Sequence, residues 1–376
     1  MKKFRVLCWI ALVVIVLIFI FRFPERVSVR VAYEDLGIPS SAQYETGVRA
    51  RSPWDLTVWD GYLYVGSGDF DANAGPVTIW RKPLKQGEWE GSEPIPEEEI
   101  DRFCIVDGKL TVPGIDPQES WEFGNYYVLQ DGEWVKNRVL PDGVHTFDIV
   151  SYHGMIFAGL GVEEGKYPVV VSEDGGETFR HMELYQNGEP LDTSTREIIR
   201  IYNFFTYNDD LYAFFIFRSS TKATMEIYRY AEGRFEFSNY WNGKIKIKSI
   251  AYLPILAKTE YNGKYFFATG NLYYTEDMEN VTQIPFPNSE TVYDLIQQNG
   301  KIYALCGLTQ EDGSVRVSVW SNSKSNDAEF KELFYFEYPV PPLSLALWKN
   351  TYYIGMANTP EDNDLNGTIL QIDFRK

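Results

Sequence analysis

The sequence predicts an all-β chain: a seven-bladed β-propeller preceded by one transmembrane helix. Three features predict it. Residues 6–21 are apolar and uncharged, the segments after Pro24 alternate apolar and polar residues and are rich in Val, Ile, Tyr and Phe, and one hairpin phrase returns seven times. The 376 residues, 44% hydrophobic and 16% aromatic, are enough to bury a core, and three scattered cysteines exclude a disulfide scaffold. A formal charge of −18 argues against nucleic acid as a partner, because phosphates need a basic face.

The apolar run reads VLCWIALVVIVLIFIF and is flanked by Lys2, Lys3 and Arg5 on one side and by Arg22, Arg26 and Arg30 on the other. A spanning helix takes about 20 residues and a signal-peptide core about 7–15. Phe4 and Phe23 extend the run, Arg5 and Arg22 can snorkel to headgroups, and no small-x-small cleavage pattern precedes Pro24. Residues 1–23 are therefore assigned to an uncleaved signal-anchor, with a cleaved signal peptide as the alternative, and residues 24–376 to the propeller. Beyond residue 30 the chain holds 29 basic and 52 acidic side chains. Such a body suits the extracytoplasmic side better than contact with anionic lipid.

The hairpin phrase is an apolar strand, a turn with Gly, Asn or Asp, and a second strand heavy in Tyr and Phe. It occurs as VWDGYLYVG (58–66), IVDGKLTVPG (105–114), VSYHGMIFAG (150–159), TYNDDLYAFF (206–215), EYNGKYFFATG (260–270), QQNGKIYAL (297–305) and LWKNTYYIG (347–355). Taking Gly61, Gly108, Gly154, Asp209, Gly263, Gly300 and Asn350 as markers gives spacings of 47, 46, 55, 54, 37 and 50. Radial blades of four strands produce a period of this length; a β-sandwich leaves the recurrence unexplained. Third strands are expected at 77–82, 126–130, 169–173, 225–230, 315–320 and 368–374.

The last unit supplies only three strands before the chain ends. Residues 27–33, where Val27, Val29, Val31 and Tyr33 alternate with Ser28, Arg30 and Ala32, are expected to dock beside 368–374 and close the ring. An outermost strand begins on the face carrying the first-to-second turns, so that face is expected to look at the membrane.

At 172–179 the chain reads SEDGGETF, with Ser172, Asp174, Gly176, Thr178 and Phe179 in Asp-box spacing, and YTEDMEN (274–280) is a partial second copy. On these residues, and on the phrase DGYLYVGSGDF…VTIW, the chain resembles the Asp-box (BNR, sialidase-like) β-propellers and bacterial LYVGT-type propeller proteins. The resemblance implies a fold over residues 50–376 and a turn in which Asp174 accepts backbone N–H groups while Phe179 packs inward. Sialidase activity does not carry over, because no arginine set repeats at the strand starts.

Seven residues before each marker lie the inner-strand starts: Trp54-Asp55, Asp101-Arg102, Phe147-Asp148, Tyr202-Asn203, Leu256-Ala257, Tyr293-Asp294 and Leu343-Ser344. Trp54, Asp55, Arg102, Asp148, Asn203, Tyr293 and Asp294 are thus candidate ligand-binding residues at a channel mouth, where aromatic walls and polar groups suit a sugar or a cation. Equally, each carboxylate can simply accept backbone N–H bonds and fix its own strand start. The second-to-third loops on that face are acidic, at Asp69 and Asp71, Glu163 and Glu164, Glu311 and Asp312, and Glu361, Asp362 and Asp364. The segment DNDLNGTILQID places Asp362, Asp364, Asn366 and Asp373 at calcium-loop positions 1, 3, 5 and 12, although an Asn366-Gly367 hairpin turn explains the same letters. His145, His153 and His181 fall in different parts of the units and make no common metal site, and Cys104 and Cys306 read as small buried hydrophobes.

The expected function is a membrane-tethered extracytoplasmic binding or scaffolding module, for a carbohydrate or a cationic partner, with calcium as a candidate cofactor. The alternative is a glycan-active hydrolase or lyase using carboxylates at the channel.

Overall fold

A computed structural model describes residues 28–39, 49–73, 75–162, 165–194, 198–218, 223–246, 257–323, 326–356 and 364–374. Among these the fold is all-β: the only helical turn spans Phe70–Ala72, and no helix is long and apolar enough to cross a membrane. The signal-anchor expected over 1–23 lies outside the described residues.

The expected hairpins form, and meanders of four strands grow from them. Five meanders stand as separate sheets, starting at the inner strands Asp55–Trp59, Cys104–Val106, Ala257–Tyr261, Thr291–Gln298 and Pro342–Trp348. The chain between them does not divide into two further separate blades. His145–Tyr152 through Arg180–His181 and Ile198–Tyr207 through Arg234–Tyr240 belong to one ten-stranded sheet, joined where Gly161 pairs with Arg200 and Val162 with Ile199. The strands at this seam are eight and ten residues long, and Met155–Val162 runs on past Gly159, where its pairing with Val169–Ser172 ends. Gly159 lets the seam close, since a Cβ there would sit 2.8 Å from Ile201 Cγ2. The arrangement is propeller-like: neighbouring inner strands touch around one cavity, and Asp55–Trp59 packs on Pro342–Trp348 to complete the circuit. Cores fill the spaces between meanders, as within the ten-stranded sheet, where buried Phe157 of one meander meets Phe204 and Phe235 of the next.

The circuit is fastened differently from expectation. Val29–Arg30 does not dock beside 368–374; it pairs in parallel with Phe334 and Tyr335 on the outer strand Phe330–Tyr338. Tyr33 decides this, since its ring packs on Phe336 at 5.2 Å and on Tyr338 at 5.8 Å, and Arg30 reaches Glu337 at 2.9 Å. Only then does Glu34–Asp35 cross over and pair antiparallel with Gln371 and Leu370, supplying the missing outer strand. The Trp89 indole N–H donates to Leu36 O at 2.8 Å, so the strap also grips the first sheet. Because the strap runs parallel to Phe330–Tyr338, it heads away from the third-to-fourth turns, with Val29 level with the middle of that strand. Leu36 N–H donates to Ile369 O at 2.9 Å. Leu36→Pro removes that donor and is expected to lower stability by about 1–3 kcal/mol, read as a lower Tm with an unchanged circular dichroism spectrum at 20 °C.

Candidate functional site: the central channel

At three of its four sites the aromatic-then-Asp/Asn signal is a β-bulge, Trp54-Asp55 pairing without a skip, and Leu343-Ser344 makes a fourth bulge without that signal. Pairing skips Phe147 between Thr146 and Asp148, Tyr202 between Ile201 and Asn203, Tyr293 between Val292 and Asp294, and Leu343 between Pro342 and Ser344. The extra residue leaves the ladder and packs outward, as Phe147 does on Tyr202 at 4.8 Å, and the following residue is re-aimed at the axis.

Three of the re-aimed or aligned carboxylates lace neighbouring units together. Asp148 Oδ1 accepts from its own Ile149 N–H at 3.0 Å and Oδ2 from Phe204 N–H at 2.7 Å in the next unit. Asp294 does the same with Leu295 at 2.7 Å and Leu345 at 2.8 Å, and Asp55 accepts from Phe103 N–H at 2.7 Å. These acids therefore hold strand starts in place.

Between them lies a cavity of about 500 Å³, lined by Asp55, Arg102, Asp148, Asn203, Lys258 and Asp294. Arg102 Nη1 donates to Asn203 Oδ1 at 2.8 Å and lies 3.3 Å from Asp148 Oδ2; Lys258 Nζ donates to the same Asp148 oxygen at 3.0 Å and to Phe204 O. Burial alone would raise Asp148, but Lys258 and Arg102 hold it below the usual carboxylate range. Burial lowers Lys258 against the pull of Asp148. Asp55 is pushed up to about 6 by burial, against its Phe103 N–H and Arg102, and Asp294 well above its ordinary value by burial and by Asp55. Behind Arg102, buried Asp101 is raised to about 7 by burial, although Arg102 pulls the other way. Burial, reinforced by Asp148, also raises the Cys104 thiol, so it is no ready nucleophile.

The strand starts form the floor of this cavity and not its mouth. Exposure grows along the inner strands, from buried Arg102 through half-buried Cys104 to Ile105 at 49%, and from buried Asn203 to exposed Thr206. The cavity thus opens toward the first-to-second turns, opposite to the face expected.

Asp55, Arg102, Asp148, Asn203 and Asp294 come together here as their spacing predicted. Trp54 is buried with its indole N–H on Gly68 O at 2.8 Å, and half-buried Tyr293 packs in an intersheet core; neither lines the cavity. Asp362 lies outside the described residues. Asp364 is exposed, Asn366 is buried in the turn, and Asp373 sits in strand Ile369–Asp373 opposite Thr351, whose hydroxyl donates to it at 2.7 Å. A strand's length therefore separates Asp373 from the turn, and among the described residues no three His, Cys, Asp or Glu side chains converge as metal ligands. The three histidines lie apart: His181 bonds Asp142 at 2.9 Å, while His145 and His153 lie 3.8 Å from Asp116 and 3.9 Å from Asp209. Cys306 is buried, as expected, while Cys104 is half-buried at the cavity.

Sequence reasoning missed Lys258, because the fifth repeat places apolar Ala257 at the counted position and the next residue reaches the axis instead. It also missed Glu97–Glu99, a strand of three buried glutamates paired with Ile115–Pro117; only the run EEE signalled it. The Ser172–Phe179 turn forms as its letters imply: Asp174 accepts Thr178 N–H at 3.0 Å and the Ser172 hydroxyl at 2.7 Å, while Phe179 meets Tyr126 edge-on at 6.0 Å.

No protein-family model matches the chain, and no curated protein does. Among solved structures it is similar to PorZ, an essential bacterial surface component of the type-IX secretion system of Porphyromonas gingivalis, at 13% identity and a TM-score of 0.53. That match covers 86% of this chain but 46% of PorZ, so the chain spans under half of that protein. It is also similar to the polysaccharide lyase Uly1, at 11% identity and a TM-score of 0.50, over 92% of this chain and 98% of the lyase. At such identities the likeness is one of β-propeller fold.

Proposed function

We propose that the protein is a membrane-tethered, extracytoplasmic binding module whose ligand enters the central channel. In this reading the ring has seven units, the ten-stranded sheet counting as two, and the signal-anchor of residues 1–23 precedes the strap. The observation that carries it is the 500 Å³ cavity, within the usual range of small-molecule sites, where buried Arg102 and Asn203 keep N–H groups without hydrogen-bond partners. The strap runs away from the face where the channel opens, and an anchor preceding it on that side would turn the mouth toward the bilayer.

The test is a glycan-array screen of the full-length chain in a sugar-free detergent, with and without chelator. Ile105→Trp is expected to plug the mouth and abolish binding while leaving Tm within about 2 °C. Binding that survives the plug would move the site to the acidic loops, and loss with chelator alone would bring calcium at 362–373 into play.

The second reading, a glycan-active enzyme, is favoured by one observation: Asp55, pushed up to about 6, lines the same cavity as Asp148, held low, and such divergent carboxyls make acid/base pairs. New reducing ends released from a bound glycan would establish it.

A further inference from the structure

The channel floor limits what its ligand is. Both cations there already face carboxylates: Asp148 serves Lys258 and Arg102, and Asp101 Oδ1 lies 3.6 Å from Arg102 Nε. The carboxylates of Asp55, Asp148 and Asp294 already accept backbone N–H groups. With Arg102 Nε turned to Asp101, which stands behind Arg102 outside the lining, the capacity without a partner that faces the cavity is on the donor side, at Arg102 Nη2 and Asn203 Nδ2, on residues 6% and 1% exposed. A free cation at the floor meets Arg102 and Lys258, and a free anion meets Asp148, so neither gains from the charges in place. A hydroxyl suits the site, since its oxygen accepts from these N–H groups and its hydrogen reaches a second lone pair of Asp55 or Asp294.

We propose that the floor recognises an uncharged, hydroxyl-bearing ring, a neutral monosaccharide unit, through Arg102 and Asn203, and discriminates against both anionic and cationic sugars; this rests on the channel being the ligand site. The charge balance supports the same choice. Arg102 and Lys258 face Asp148, held below the usual carboxylate range, while burial pushes Asp55 up to about 6, Asp101 up to about 7 and Asp294 well above its ordinary value, so the acids around the floor do not all carry charge near neutral pH. Buried donors of this kind are also commonly met by water, and the ligand would displace it.

The experiment is calorimetric titration of the full-length chain, in sugar-free detergent at pH 7, with glucose, galactose, mannose and N-acetylglucosamine, and with glucuronate and glucosamine as charged probes. At least one neutral sugar is expected to bind saturably, with the charged probes about tenfold weaker. Asn203→Asp keeps an acceptor for Arg102 Nη1, removes the amide N–H groups and adds a carboxyl group beside Asp148; it is expected to weaken the neutral sugar about tenfold in protein that remains folded. Arg102→Lys, which keeps the charge, is the second variant should the first misfold. A charged probe binding as well as the neutral sugars, or neutral binding unchanged in the folded Asn203→Asp variant, overturns the assignment and leaves the channel a ligand site. Absence of binding by every probe, with Ile105→Trp also without effect on the array, removes the channel reading itself.

Discussion

Replacing Asp148 by alanine is expected to destabilise the protein by about 3–5 kcal/mol, the largest effect of any single side chain at the axis. Five donors converge on this carboxylate: the N–H groups of Ile149 and Phe204, the Lys258 ammonium, the Arg102 guanidinium and, at 3.4 Å, the Cys104 thiol. Truncation leaves two backbone donors unmet, strips half-buried Lys258 of its counter-charge and leaves buried Arg102 with Asp101 alone. Asp148→Ala with Lys258→Met removes one stranded cation and is expected to recover part of the loss, which chemical denaturation of the single and double variants measures. Additive losses in that cycle would mean the ammonium and carboxylate are not coupled.

The second large effect is an acid-side stability maximum. Glu97 is fully buried and raised to about 7 by burial, although Asn125 Nδ2 at 2.6 Å and the Tyr127 hydroxyl at 2.8 Å donate to it. Asp101 stands at about 7 and Asp55 at about 6, with Glu99 and Asp294 raised further. An unfolded carboxyl titrates near 4, so between about pH 4 and 7 the folded chain holds more protons than the unfolded one. The stability these groups contribute is complete below pH 4 and is lost as pH rises through their folded values, on the order of 3 kcal/mol for Glu97 alone. His145, held near 3 by burial and by Arg200, opposes this below pH 6.5, and Asp148 does so at the acid limit. The Tm is therefore expected to peak near pH 5 and to fall by several degrees toward pH 8. Glu97→Gln keeps an acceptor for Asn125 and Tyr127 while removing the titration, and is expected to flatten that slope; an unchanged slope would shift the effect to the axial acids.

The hairpins were legible because each is a local pattern: alternating apolar residues around a turn residue able to take a positive φ, such as Asp60, Asp107, Asn262 and Asn299. Most axial residues were legible for a related reason, since an aromatic followed by Asp or Asn marks the bulges at Phe147, Tyr202 and Tyr293. Lys258 was not, because its register departs by one residue from its repeats. Glu97–Glu99 was not, because a run of acids ordinarily marks solvent, and only packing on Gly114 and Tyr127 buries it.

What the amino-acid sequence determined by itself is the all-β class, the repeated hairpin, the ring of polar strand starts and the need for an N-terminal closing strand. Tertiary structure alone decided that two meanders merge across Gly161 and Val162, that the strap grips Phe330–Tyr338 before it completes the last sheet, and that the channel opens toward the turns. The reason is range. Alternation and turn chemistry act within about ten residues, whereas seam, strap and mouth depend on which surfaces meet after residues hundreds of positions apart have packed.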